Sequence, residues 1–98
     1  MEIIKFEARW CSQCKAQDGI LNQLQEKHPN LKVTHIDVER EDTPYIDEYL
    51  IQSLPTTIVK YDNGDHKKFI GLTSLNVFEE ALKENKEDFE KGPVLNVS

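Results

Sequence analysis

Two cysteines, the only ones in this 98-residue chain, stand in one short motif, Trp10-Cys11-Ser12-Gln13-Cys14. The motif follows a hydrophobic segment typical of a β-strand and opens a segment with helical periodicity. Two residues between cysteines in a first helical turn bring the sulfurs together, so that a disulfide can form and break without moving the fold. Unpaired N–H groups and the helix dipole also favour the Cys11 thiolate. The motif therefore predicts a redox site at a strand-to-helix junction.

The length suits one domain with a modest core. Charged residues make up 31% of the chain and the net charge is −6, which argues against nucleic acid or an anionic membrane as a partner, because both attract clustered Lys and Arg. No apolar run approaches the roughly 20 residues of a membrane span, and residues 1–5 do not resemble a signal peptide. We therefore expect a monomeric cytoplasmic protein, in which a lone cysteine pair is catalytic or metal-binding rather than structural.

Strand and helix patterns alternate along the chain. The predicted strands are Glu2–Glu7, Lys32–Val38 (starting at Leu31 or Lys32), Thr56–Tyr61 and His66–Ile70, and the predicted helices begin at Ser12, at Thr43-Pro44 and at Thr73 or Ser74. The order is β-α-β-α-β-β-α. A helical crossover makes the first two strands parallel, and the Asp62–Asp65 turn makes the last two antiparallel. This predicts an α/β fold with a four-stranded mixed sheet and helices on both faces, over residues 1–86. We expect a disordered tail over residues 87–98; the alternative is that its apolar end, with Val94, Leu95 and Val97, packs against the domain.

Apolar spacing predicts which face of each helix is buried. The expected core positions are Ala16, Ile20, Leu21 and Leu24 in the first helix, Tyr45, Ile46, Tyr49 and Leu50 in the second, and Leu75, Phe78 and Leu82 in the third.

This order of elements, with Trp10-Cys-x-x-Cys opening the first helix and Leu54-Pro55-Thr56 opening the third strand, resembles the thioredoxin family. The Tyr61-Asp62-Asn63-Gly64 hairpin and Gly71 fit the same pattern, and the resemblance extends from Glu2 to Asn85. It implies a thioredoxin-like fold in a minimal, glutaredoxin-sized form, because the chain starts directly with the active-site strand.

The resemblance also implies the chemistry. Cys11 is expected to attack a substrate disulfide and Cys14, the more buried thiol, to resolve the mixed disulfide. Pro55 is expected to follow a cis bond beside the active site, and the apolar docking surface would comprise Trp10, Leu54, Pro55, Gly71 and Leu72. No cofactor is expected to be bound. Electrons would come from NADPH through a thioredoxin reductase-like enzyme and pass to oxidised proteins, ribonucleotide reductase being one example.

The chain departs from the family pattern at several positions. Ser12-Gln13 replaces the usual Gly-Pro between the cysteines, and Gly19 replaces a proline that bends the first helix. Lys5 stands where the family has a buried acid that shuttles a proton for the resolving cysteine. Lys5 and Glu7 are most simply a solvated or paired strand face; a role as a proton relay or in tuning the thiol pKa is the alternative.

Other functions are compatible with parts of the pattern. The alternatives for the cysteine pair are two buried small residues or half a zinc site. Because His28, His35 and His66 lack ligand-like spacing, we expect no metal. A glutaredoxin-like, glutathione-dependent donor is the closest rival, although this chain has Ser53-Leu54-Pro55 where glutaredoxins have Thr-Val-Pro. A thioredoxin-fold binding module with incidental cysteines is the non-enzymatic alternative.

Overall fold

The computed structural model describes residues 1–40 and 44–83. Its elements are β1 (Glu2–Glu7), α1 (Ser12–Lys27), β2 (Lys32–Asp37), α2 (Pro44–Glu48), β3 (Thr56–Lys60) and β4 (His66–Ile70); residues 75–83 form a further helix, α3. The predicted order β-α-β-α-β-β-α is confirmed. The predicted cap at Thr43, the domain boundary at residue 86 and the tail over residues 87–98 lie outside the described residues.

The four strands form one mixed sheet in the order β2-β1-β3-β4. The central strand β1 runs parallel to β2 and antiparallel to β3, and β4 pairs antiparallel with β3. The predicted fold class is therefore confirmed within the described part of the chain. Because β1 and β2 are parallel, their carboxyl ends meet at one edge, where β1 leads through a turn into α1.

Alternate residues of β1 point to opposite faces of the sheet. Ile3 belongs to a cluster with residues of α1 and α3, whereas Ile4 and Phe6 pack with Tyr49 after α2. Helices therefore cover both faces, as predicted. The face under α1 and α3 carries the site described below.

The buried face of α1 differs in part from the prediction. Leu21 and Leu24 are buried, but Ala16 is exposed and its place is taken by Cys14 and Gln17. These four buried positions are separated by three or four residues, the spacing of one helix face. Ala16 lies between Cys14 and Gln17 and therefore faces away from the sheet. The prediction that Ala16 belongs to the core was therefore wrong.

Leu50 was also expected in the core, and the structure corrects this as well. Its side chain is 68% exposed. Leu50 ends α2 in the left-handed region, with φ of 53°, while its N–H donates to Asp47 O and the N–H of Ile51 donates to Ile46 O. This pair of bonds is a Schellman cap, in which the helix ends at a residue in the left-handed conformation. The cap explains why helical spacing alone misplaced Leu50.

Candidate active site

Cys11 and Cys14 form a disulfide, and their Cα atoms are 5.2 Å apart. A turn after β1, closed by the bond from Cys11 N–H to Ala8 O, places Cys11 at the N-cap of α1. The Cys11 backbone is extended there, and the N–H of Cys14 donates to Cys11 Sγ over 3.1 Å. A donor aimed at this sulfur stabilises negative charge on it when the disulfide is open. The sequence placed both cysteines correctly at the strand-to-helix junction.

Both cysteines are buried, Cys11 with 5% and Cys14 with 2% of its surface exposed. Cys11 is therefore the slightly more accessible of the two. Trp10, immediately before it, is 68% exposed. A large, solvent-exposed aromatic ring next to a disulfide is typical of a surface that contacts another protein.

Pro55 lies in the loop that enters β3. The Leu54–Pro55 peptide bond is cis, as the family resemblance implied. The carbonyl of Pro55 accepts a hydrogen bond of 2.8 Å from the N–H of Gly71, which continues the pairing of β3 with β4 by one step. Gly71 has φ of 84°, a conformation that favours glycine. Two of the predicted docking residues are thus in direct contact.

Gln17, which was not among the predicted site residues, links α1 to the segment after Gly71. Its side chain is completely buried; Nε2 donates to Thr73 O over 2.9 Å, and Thr73 N–H donates to Oε1 over 2.8 Å. Thr73 Oγ1 in turn donates to Gly71 O. A chain of hydrogen bonds thereby connects the helix that carries the disulfide to the Pro55–Gly71 pair. The available signal was a polar residue within the buried stripe of α1.

Around that pair the surface is apolar. Leu72 is 50% exposed and Ile70 is 66% exposed. Leu72 was among the predicted docking residues, whereas Ile70 was not. Ile70 is exposed because it lies on the edge strand β4, one face of which has little to cover it.

Lys5 is completely buried. Of the two simplest expectations for this side chain, solvated or paired, the structure shows the paired one. Its ammonium donates to Glu7 Oε1 and to Cys14 O, each over 2.7 Å, and to Asp18 Oδ1. His35 Nδ1 lies 3.1 Å from Glu7 Oε1 and 3.5 Å from Asp18 Oδ1. We call these four side chains the Lys5 cluster: Lys5, Glu7, Asp18 and His35. The sequence analysis did not find Asp18 or connect His35 to the site.

Two opposing effects act on the Glu7 carboxyl. Burial raises its pKa, but hydrogen bonds from Lys5 and His35 and the positive charges of both residues outweigh burial, so that the pKa of Glu7 lies below its ordinary value. Glu7 is therefore ionised at neutral pH and provides a counter-charge for the buried ammonium.

The ligand-type atoms of Glu7, Asp18 and His35 all lie within 4.8 Å of one another. Such a group can hold a cation, but here the ammonium of Lys5 donates to both carboxylates and supplies the positive charge. The arrangement is that of an ion-pair cluster, and we assign no metal to it.

The sequence model of the family described as Thioredoxin matches residues 1–84. The chain belongs to the thioredoxin family. It is 30% identical over 81 residues to the thioredoxin of Mycoplasmoides gallisepticum, covering 83% of this chain and 80% of that one. It is 31% identical over 84 residues to the thioredoxin of Borreliella burgdorferi, covering 84% and 70%. Mitochondrial thioredoxin 3 of Saccharomyces cerevisiae, in its oxidised form, superposes with a TM-score of 0.73 at 26% identity, covering 85% and 76%.

Family membership and the paired cysteines together make this chain a thiol–disulfide oxidoreductase, with the cysteine pair as its redox-active group. Thioredoxin family membership also implies interaction with a thioredoxin reductase and with oxidised protein substrates. None of the helices in the described part of the chain has the length and hydrophobicity that crossing a membrane requires.

Proposed function

We propose that the chain reduces protein disulfides through a dithiol–disulfide cycle in which Cys11 attacks and Cys14 resolves. The observation that carries this proposal is the N-cap position of Cys11, whose sulfur accepts the N–H of Cys14 over 3.1 Å. This donor and the N-terminus of α1 stabilise the Cys11 thiolate, the form that attacks. Cys14 is the less exposed of the two cysteines, at 2% against 5%, and lies next to Cys11 for the resolving step.

The Cys11 thiolate attacks one sulfur of the substrate disulfide; a Cys11–substrate bond forms, and the other substrate sulfur leaves as a thiolate that takes a proton. Cys14 loses its proton and attacks Cys11 Sγ, so that the Cys11–Cys14 disulfide forms and the second substrate sulfur is released. Two electrons pass from the cysteine pair to the substrate.

The substrate segment would lie across Trp10, Leu54, Pro55 and Gly71. Trp10 offers an exposed aromatic face, and the hydrogen bond between Gly71 and Pro55 holds the loop before β3 in place. We infer that Leu54, at the cis bond, presents its backbone to an extended peptide, since an extended peptide gains affinity from main-chain hydrogen bonds at such a site.

We further propose that the chain acts as a monomer in the cytoplasm, where NADPH-dependent thioredoxin reductase returns it to the dithiol form. Ribonucleotide reductase is one candidate among the oxidised proteins it would reduce. The supporting observation is family membership. Recycling is measured with NADPH and thioredoxin reductase in one reaction, and with glutathione and glutathione reductase in another. Turnover in the first alone supports the proposal; turnover with glutathione alone would favour the glutaredoxin-like alternative.

Two serine variants test the cycle. With a disulfide-bonded protein substrate, Cys14→Ser should accumulate a mixed disulfide through Cys11, visible as a covalent adduct by mass spectrometry and released by dithiothreitol. Cys11→Ser should form no adduct and lose reduction completely. If Cys11→Ser still binds the same partners and the wild type reduces none of them, the chain is a binding module and the proposal is wrong.

A further inference from the structure

The sheet face beneath α1 changes character toward the active site. At the level of Ile3, the partners in β2 and β3 are apolar. Two residues further along β1, Lys5 is flanked by His35 of β2 and Thr57 of β3. Partners that lie directly opposite in neighbouring strands project from the same face. A polar row therefore crosses the sheet at the end that leads into the disulfide.

Lys5 connects this row to the cysteine pair. Its ammonium is completely buried and donates to the carbonyl oxygen of Cys14 over 2.7 Å. The counter-charges lie further out: the side chains of Glu7 and Asp18 are 28% and 41% exposed. Water screens the two carboxylates more than it screens the buried ammonium. The positive charge of Lys5 is therefore screened less in the direction of the cysteines than the negative charges of the two carboxylates are.

The charge of the cluster depends on His35. Lys5, Glu7 and Asp18 together carry one negative charge, and His35, 43% exposed, faces both carboxylates. Imidazole is the side chain that changes charge between about pH 5 and 8. When His35 takes up a proton, the cluster becomes neutral overall. Lys5 and Glu7 of β1, Asp18 of α1 and His35 itself are the charged groups in contact there.

We propose that Asp18 and His35 are positioning residues that, with Lys5 and Glu7, set the thiolate fraction of the reduced cysteine pair and make it respond to pH. The inference extends the proposed function, on which it rests. Asp18 holds the ammonium under Cys14 and partly cancels its charge, while protonated His35 offsets a carboxylate. Positive charge favours thiolates and negative charge opposes them. The thiolate fraction therefore depends on the balance of positive and negative charge within the Lys5 cluster.

The redox consequence follows from proton balance. Opening the disulfide takes two electrons, and each sulfur then takes a proton from solvent or remains a thiolate. A cluster that favours the thiolate stabilises the reduced state and makes the couple more oxidising. With His35 neutral, the two carboxylates offset the buried ammonium more fully than with His35 protonated, so the couple is then less oxidising.

The test is the alkylation of fully reduced protein by iodoacetamide from pH 5 to 9, because the rate relative to its plateau gives the thiolate fraction of Cys11. Asp18→Asn should raise this fraction at pH 6 by about threefold, since it removes a negative charge. Glu26→Gln, at an exposed position of the same helix, is the matched control and should leave the profile unchanged. An Asp18→Asn variant that melts earlier but keeps the wild-type profile would overturn the proposal.

His35→Gln provides a second readout at a residue of β2. Because an imidazole is the side chain that gains a positive charge between about pH 8 and 5, the thiolate fraction of the variant should match the wild type at pH 8 and fall about threefold below it at pH 5.5. Identical profiles across the range would contradict the pH response. The alkylation profile does not require turnover, so it can fail while the wild type reduces disulfides, or hold while reduction fails.

Discussion

The Gln17 side chain and the Thr73 backbone exchange two hydrogen bonds across a sequence separation of 56 residues. Both residues are buried, Gln17 completely and Thr73 with 8% exposure. This pair fixes the segment that follows Gly71 against the helix that carries the disulfide. These hydrogen bonds, in addition to the sheet, therefore fix the position of the proposed docking surface relative to the cysteines.

Gln17→Leu should lower the free energy of unfolding by about 1–3 kcal/mol, because it leaves a buried donor and a buried acceptor of Thr73 unpaired. Urea denaturation measures this. Gln23→Leu, the same change at an exposed position of α1, should be nearly neutral. Equal effects of the two substitutions would show that the Thr73 contact contributes nothing to stability.

Alanine substitutions at Gly71 and at Gly19 should change the stability of the fold in opposite directions. Gly71→Ala forces a side chain into a backbone with φ of +84° and should destabilise the chain by about 1–2 kcal/mol. Gly19 lies within α1, and a Cβ there meets nothing within 4 Å, so Gly19→Ala should stabilise it by about 0.5–1 kcal/mol. Thermal denaturation of both variants under one set of conditions checks the signs. A stabilised Gly71→Ala would contradict the left-handed assignment.

Leu50→Gly should stabilise the fold by about 1 kcal/mol, because Leu50 caps α2 with φ of 53° while its side chain is 68% exposed. Little packing is lost and the left-handed backbone is relieved. Chemical denaturation provides the measurement, with Leu72→Gly as a comparison at another exposed leucine. Destabilisation by Leu50→Gly would mean that this side chain has a packing role.

Glu7→Gln should reduce stability at neutral pH and lose that effect in acid. The folded-state pKa of Glu7 lies below its ordinary value, so its ionisation stabilises the fold above the unfolded pKa of about 4.3, and this contribution disappears as the pH falls through the folded pKa. The difference in unfolding free energy between wild type and variant should therefore be smaller at pH 3 than at pH 7. Glu48→Gln, exposed in α2, should show no such pH-dependent gap.

The element order could be read from the sequence because each segment carries its own signal. The strand Glu2–Glu7 has the predicted bounds, and the helix Ser12–Lys27 begins at the predicted residue. Alternation, turn residues and helical spacing are local properties, and they agree with the final topology. The cis bond before Pro55 could be anticipated because the family pattern supplied a constraint that local sequence signals lack.

The environment of Lys5 could not be read from the sequence. Asp18 is 13 positions away in α1, and His35 joins through the parallel register of β1 with β2. Which side chains of two strands lie side by side is known only after the strands are aligned in the sheet. In addition, the residues next to a lysine in a strand do not indicate whether its side chain is buried. Leu50 was misplaced for a related reason, since helical spacing contains no information on where a left-handed cap ends the helix.

The midpoint potential of the Cys11–Cys14 couple is the most direct test of the central claim. The protein is equilibrated in graded thiol–disulfide buffers, quenched with acid and alkylated, and the reduced fraction is read by mass spectrometry. A protein-disulfide reductant should have a potential near about −270 mV, the value typical of thioredoxin. A potential near about −120 mV, typical of a strong oxidant, or failure to form the intramolecular disulfide at any poise, would contradict the account.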